Sequence, residues 1–159
     1  MVTFAHGGNL GDTIYSLAAV KSFCDTYNEK CVFYLVCNKP AGYVSAMKDF
    51  HPFGNVQLPK HAAEMLKPLL LSQYYIEDVV IVEHLSRYKV DYDLDEFREM
   101  PIDFRRGNIP EWHTKLFTDY WGIDIKPDYT KPYLIVEPTL KESIIVGVAR
   151  SSRYRNEDI

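Results

Sequence analysis

The chain has 159 residues, 47% of them hydrophobic and 25% charged, enough to build one core and too apolar for a disordered segment. Its 18 Lys and Arg face 22 Asp and Glu, a formal net charge of −4. That balance argues against a nonspecific binder of nucleic-acid backbone, which needs a basic surface, but it leaves room for a local site that takes one phosphorylated small molecule.

Cys24, Cys31 and Cys37 are an odd set without a CxxC pair. They argue against a disulfide framework or a structural zinc site and predict a reducing, cytoplasmic setting. The longest apolar runs, residues 31–37 and 79–82, fall far short of the ~20 residues that span a bilayer. The first residues read directly into a motif instead of a basic-then-apolar leader.

In chain order, Val2-Thr3-Phe4-Ala5 reads as a short strand running into the loop His6-Gly7-Gly8-Asn9-Leu10-Gly11-Asp12. A helix is predicted from Thr13, with Ile14, Leu17, Ala18, Phe23, Cys24 and Tyr27 near helical spacing and Asp12 as N-cap. The continuous apolar run Cys31-Val32-Phe33-Tyr34-Leu35-Val36 suits a central parallel strand. Strand, glycine loop, helix and strand make a βαβ unit. Further on, Ala62, Met65, Leu66, Leu69 and Leu70 predict a helix that breaks and restarts at Pro68. Val79-Val80-Ile81-Val82 reads as a buried strand, and the alternation over residues 90–98 as an extended segment with one wet face. Pro110, Leu116, Phe117, Tyr120 and Trp121, closed by Gly122, describe a last helix. Tyr133-Leu134-Ile135-Val136 and Ile144-Ile145-Val146-Gly147-Val148 read as strands, the second followed by a basic tail. The expected class is α/β, Rossmann-like, with a mostly parallel sheet and helices on both faces.

A glycine loop between a first strand and its helix brings backbone N–H groups to the sheet's carboxyl edge, where open α/β sheets bind ligands. The spacing of Gly7, Gly8 and Gly11 matches neither GxGxxG nor GxxxxGK[ST]. Asp12 repels a phosphate but suits a proton acceptor for a hydroxyl held in the cleft; an ordinary helix cap is the other reading.

His6-Gly7-Gly8-Asn9-Leu10-Gly11-Asp12-Thr13-Ile14, followed by Ser16-Leu17-Ala18-Ala19-Val20-Lys21, resembles the opening of the heptosyltransferase-like glycosyltransferases (family 9, GT-B fold). In that family a G-[DN]-x-[LIV] turn precedes a helix with an L-P-A-L-R-like stretch, and here Ala18 stands where Pro is usual. Residues 69–76, 91–98 and the Arg150-Ser151-Ser152-Arg153-Tyr154-Arg155-Asn156 tail resemble a distant, heptosyltransferase-like subgroup. The resemblance implies that residues 1–140 form a Rossmann-like, acceptor-side domain, the amino-terminal half of a GT-B architecture. Residues 141–159 would be the linker and first strand of a truncated or absent second domain. It further implies an inverting, metal-independent transfer of a sugar from a nucleotide-sugar donor to an acceptor hydroxyl, with no cofactor and with Asp12 as general base. His6, Gly7, Gly8, Asn9, Leu10 and Gly11 would shape the substrate site, and Arg150, Ser151 and Arg153 would reach the donor phosphates. As a fragment such a chain is expected to be inactive. The alternative is a non-catalytic Rossmann-like binding or assembly module.

Other residues receive plainer readings. His6 either orients an acceptor, sharing a proton with Asp12, or is a hydrogen-bonded strand end. His51, His61, His84 and His113 lack paired-ligand spacing, so no metal is assigned, and His113 is expected at a helix surface or interface. Asp91, Asp93, Asp95, Glu96 and Glu99 read as a solvated strand face. Arg105 and Arg106 beside Gly107 read as a surface turn. The strand at residues 144–148, apolar on both faces, predicts pairing with a second copy.

Overall fold

The computed structural model describes residues 1–42 and 54–136. They form strand β1 (Val2–His6), helix α1 (Leu10–Tyr27), strand β2 (Cys31–Val36), helix α2 (Lys60–Leu71), strand β3 (Ile76–Val82), the two-residue strand β4 (Tyr92–Asp93) and helix α3 (Ile109–Lys115). Short 3-10 turns cover Leu85–Arg87 and Leu94–Glu99, and a π-helical turn, Leu116–Tyr120, extends α3. All strands are parallel, in the order β3-β2-β1-β4. The result is a Rossmann-like α/β sheet flanked by helices.

Strand periodicity explains the two apolar clusters. Val2, Phe4 and His6 pair with Cys31, Phe33 and Leu35 and point to the larger core, where residues of α1, α2 and α3 also pack. Ala5, Val36 and Val82 point the other way, against Tyr34, Val80, Leu85 and Val90. Phe4 is the centre of the larger core. Its ring meets Phe23 of α1 at 5.4 Å, Tyr92 of β4 at 5.5 Å and Phe117 at 5.7 Å, so burying it contributes ~1.5–3 kcal/mol and joins four elements. The three cysteines are free and buried, and no described helix is long and apolar enough to cross a membrane.

Several expectations need correction. Helix α1 begins at Leu10, not Thr13, and its N-cap is Asn9; Asp12 is therefore a first-turn residue, not the cap. Helix α2 runs unbroken through Pro68. Pro68 and Glu64, the residue whose carbonyl it leaves unbonded, are both exposed, so water can satisfy that carbonyl, while buried Ala62, Ala63, Leu66 and Leu70 hold both halves on the core.

The extended segment at residues 90–98 keeps strand geometry only at Tyr92–Asp93. The Asp93 carboxylate accepts the Asp95 N–H at 3.0 Å and turns the chain into the 3-10 coil. Residues 133–136 form no strand. Their backbone partner is a side chain: Gln73 accepts the Ile135 N–H at 2.8 Å and donates to the Ile135 carbonyl at 3.0 Å. The predicted strand at residues 144–148, the start of the second domain, and Arg150, Ser151 and Arg153 lie outside the described residues.

Candidate functional site

Strand order decides where chemistry can sit. β2 and β3 lie on one side of β1, and β4 lies on the other. The order therefore reverses between β1 and β4, and the carboxyl ends of those two strands flank the crevice that open α/β sheets use for ligands. The loop after β1 brings residues 7–12; the turn after β4 brings Asp95 and Arg98.

The two segments are tied by charge. Arg98 Nη2 donates to Asp12 Oδ2, and its Nη1 donates to Asp95 Oδ1 at 2.8 Å. Its guanidinium also lies 4.5 Å from the centre of the Phe97 ring. Asp95 Oδ2 accepts the Gly7 N–H at 2.8 Å and Lys39 Nζ at 2.9 Å. Two cations and two carboxylates thus form one chain, Lys39–Asp95–Arg98–Asp12. Among the described residues no hydrogen bond reaches Asp12 Oδ1, and the Asp12 side chain is 17% exposed, so Oδ2 is fixed by Arg98 while Oδ1 has no such tie. Beyond Lys39 and Asp95 lies a cleft of about 250 Å³, lined also by Asn38, Glu83, His84 and Asp93.

Asp95 is the buried member, 9% exposed against 34% for Arg98 and 46% for Lys39. Burial pushes its carboxyl up, but the Lys39 and Arg98 cations and the Lys39 hydrogen bond outweigh that and hold it below the ordinary carboxylate range. Asp93, beside it, moves up because burial dominates there.

Gly8 makes the close approach possible. A Cβ at that position would lie 2.5 Å from His6 Cε1 and 2.8 Å from Arg98 Nη2. Gly8→Ala is therefore expected to displace Arg98 from Asp12 and to cost ~1–3 kcal/mol. A thermal melt compared with wild type checks it; an unchanged midpoint would mean that Arg98 is not held against the loop.

Beneath the loop lie two fully buried histidines, His6 and His113, their ring centres 5.5 Å apart. Of the two expected places, surface or interface, His113 takes the interface: α3 packs against α1 and its ring rests 4.3 Å from that of Phe97. The Gly8 N–H points to His6 Nδ1 at 2.9 Å. A backbone N–H can only donate, so His6 Nδ1 is bare and the ring proton sits on Nε2. Its 3.5 Å approach to Asp95 is then not an ion pair. His113 Nδ1 faces the Ile109 carbonyl at 2.9 Å and must carry the proton. The remaining atoms, a His6 Nε2–H donor and a His113 Nε2 acceptor, have no partner among the described residues.

Burial pushes both rings below the ordinary histidine range, His113 to about 3. The native state therefore binds fewer protons than the unfolded chain below pH 6.5, so their contribution to stability is present above that value and lost as pH falls toward 3. Asp95 acts in the same direction below about pH 4. Urea unfolding at pH 7.5, 5.5 and 4.5 should show falling stability, and His113→Phe should flatten the decline between pH 6.5 and 4.5. A wild-type stability that holds or rises on acidification would contradict the neutral pair.

Of the predicted site residues, the fold brings His6, Gly7, Gly8, Asn9, Leu10, Gly11 and Asp12 to the carboxyl edge, with His6, Gly7 and Gly8 buried and the rest partly exposed. No hydrogen bond joins His6 to Asp12; His6 is a hydrogen-bonded strand end. Arg105 and Arg106 are exposed and face Asp103, as a surface turn. Lys39 and Arg98 escaped the sequence reading, and Asp95, expected on a solvated strand face, is instead buried in the 3-10 turn. The i,i+3 spacing of Asp95 and Arg98 was the one available signal, and it was masked by the apparent strand alternation. Among the described residues no cluster of His, Cys, Asp and Glu could hold a metal ion. Comparisons with protein-family models, with curated proteins and with solved structures find no match to this chain.

Proposed function

We propose that the chain is the acceptor-side domain of an inverting glycosyltransferase, with Asp12 as the general base. The observation that supports this reading is the partly exposed Asp12 carboxylate at the strand-order reversal, oriented through Oδ2 by Arg98 and with no described hydrogen bond at Oδ1. In the reaction an acceptor hydroxyl gives its proton to Asp12 Oδ1 while its oxygen attacks the anomeric carbon of the donor. The bond from that carbon to the nucleotide's phosphate oxygen breaks, and the nucleoside diphosphate leaves. Arg150, Ser151 and Arg153 would meet the phosphates in this scheme, as guanidinium forks do.

A second reading, the non-catalytic binding module, is favoured by the internal charge balance of Lys39, Asp95, Arg98 and Asp12, which a structural brace would also show. Mass spectrometry of products from panels of nucleotide sugars and saccharide acceptors separates the two. Product that Asp12→Asn abolishes supports the transferase; product that persists in Asp12→Asn removes the base assignment. Because this chain alone is expected to be inactive, the assay is made on a form with both domains, and no product there with any pair favours the binding module.

A further inference from the structure

A second cleft, of about 520 Å³, lies between α1, α3 and the segment after the π-helical turn, lined mainly by Tyr15, Asn108, Pro110, Glu111, Trp112, Tyr129 and Tyr133. Its volume falls in the range of sites for small molecules. Tyr15 stands one helical turn beyond Asp12, so both project from the same face of α1.

The aromatic walls are pre-positioned. Trp112 Nε1 donates to the Arg106 carbonyl at 2.9 Å, and its ring meets Phe104 edge-on at 5.1 Å and lies nearly parallel to Phe97. The Tyr129 hydroxyl is held by Thr114 at 2.6 Å and by the Pro110 carbonyl at 3.3 Å. Tyr15 and Tyr129 are 43% and 49% exposed, so their rings are accessible from solvent. The lining contains one charged group, Glu111, and no ion pair or side-chain hydrogen bond involving its carboxylate is formed among the described residues.

We infer that this cleft binds a saccharide without acidic groups, and that the sugar is the acceptor presented to Asp12. The flat C–H face of a pyranose carries slight positive charge and matches the negative face of an aromatic ring. Its hydroxyls can donate to the free Glu111 carboxylate. The same carboxylate, with no lining cation among the described residues, repels uronic acids and phosphorylated sugars. The binding claim stands on the cleft itself; the acceptor role rests on the transferase reading above.

The test is a fluorescence and calorimetric titration of the full chain with neutral oligosaccharides, their uronic-acid counterparts and choline. Neutral sugars should bind, acidic ones about 10-fold or more weakly, and Tyr15→Ala should weaken neutral binding by about 10-fold. Glu111→Gln should narrow the gap between neutral and acidic sugars. Both positions are exposed, so circular dichroism should confirm that the variants remain folded. Three results would overturn the inference: no neutral sugar bound at millimolar concentration, choline bound in preference to sugars, or sugar affinity indifferent to Tyr15→Ala and Glu111→Gln. Sugar binding that persists in a form with both domains that shows no transfer rejects the transferase and keeps the saccharide site. Transfer that is indifferent to both substitutions does the reverse.

Discussion

In a full-length, active form, Asp12→Asn is expected to lower turnover by ~10²–10⁴ in sugar transfer, the range for a lost general base. Asparagine keeps the shape and can still offer its oxygen to Arg98. The atom then left facing the acceptor is an amide nitrogen, which donates hydrogen bonds and takes no proton. Because the Arg98–Asp12 pair is partly exposed, the same substitution should change stability by about 1 kcal/mol or less. A turnover loss without a stability loss separates the catalytic role from the bracing role. Unchanged turnover would leave Asp12 as a brace alone.

The largest loss of stability is expected from Asp95→Ala. That carboxylate is the one group that joins Gly7 N–H, Lys39 and Arg98. Removing one member of a buried ion-pair network costs ~3–5 kcal/mol, because the partners stay desolvated without compensation. Lys39 and Arg98 both reach solvent, which places the expected loss near the lower end, about 3 kcal/mol. Asp95→Asn should fall between: the amide oxygen can still accept Gly7 N–H, but the amide nitrogen confronts a cation. Urea unfolding at pH 7 measures both. A loss for Asp95→Ala near that of an ordinary surface substitution, within ~0.5 kcal/mol, would mean that the two loops hold together without it.

Much of the frame was legible in local pattern. The run Cys31–Val36 and the neighbourhood of Val79 carry continuous apolar residues, as buried parallel strands do. The glycine loop marked the first strand-to-helix crossing. Where the reading failed, a distant partner overrode local preference. Pro68 stays inside a helix because the buried face on either side of it pays for one missing hydrogen bond. Residues 133–136 look like a strand, yet Gln73, far away in sequence, takes their backbone groups. For His113 the sequence left surface and interface open, and only the contacts with Phe97 and His6 decide for the interface.

The same division holds for the site. Sequence alone determined the α/β class and the position of Asp12 just after the first strand, since both follow from residue order and spacing over short distances. The burial of Asp95, its hold on Gly7 and the Arg98 clasp on Asp12 were decided by tertiary structure, as was the aromatic cleft beside Tyr15. Each joins residues more than 80 positions apart or walls from several elements. Such pairings depend on β4 adding next to β1 and on α3 packing against α1. Those are long-range choices set by which apolar faces can be buried together, and no local periodicity encodes them.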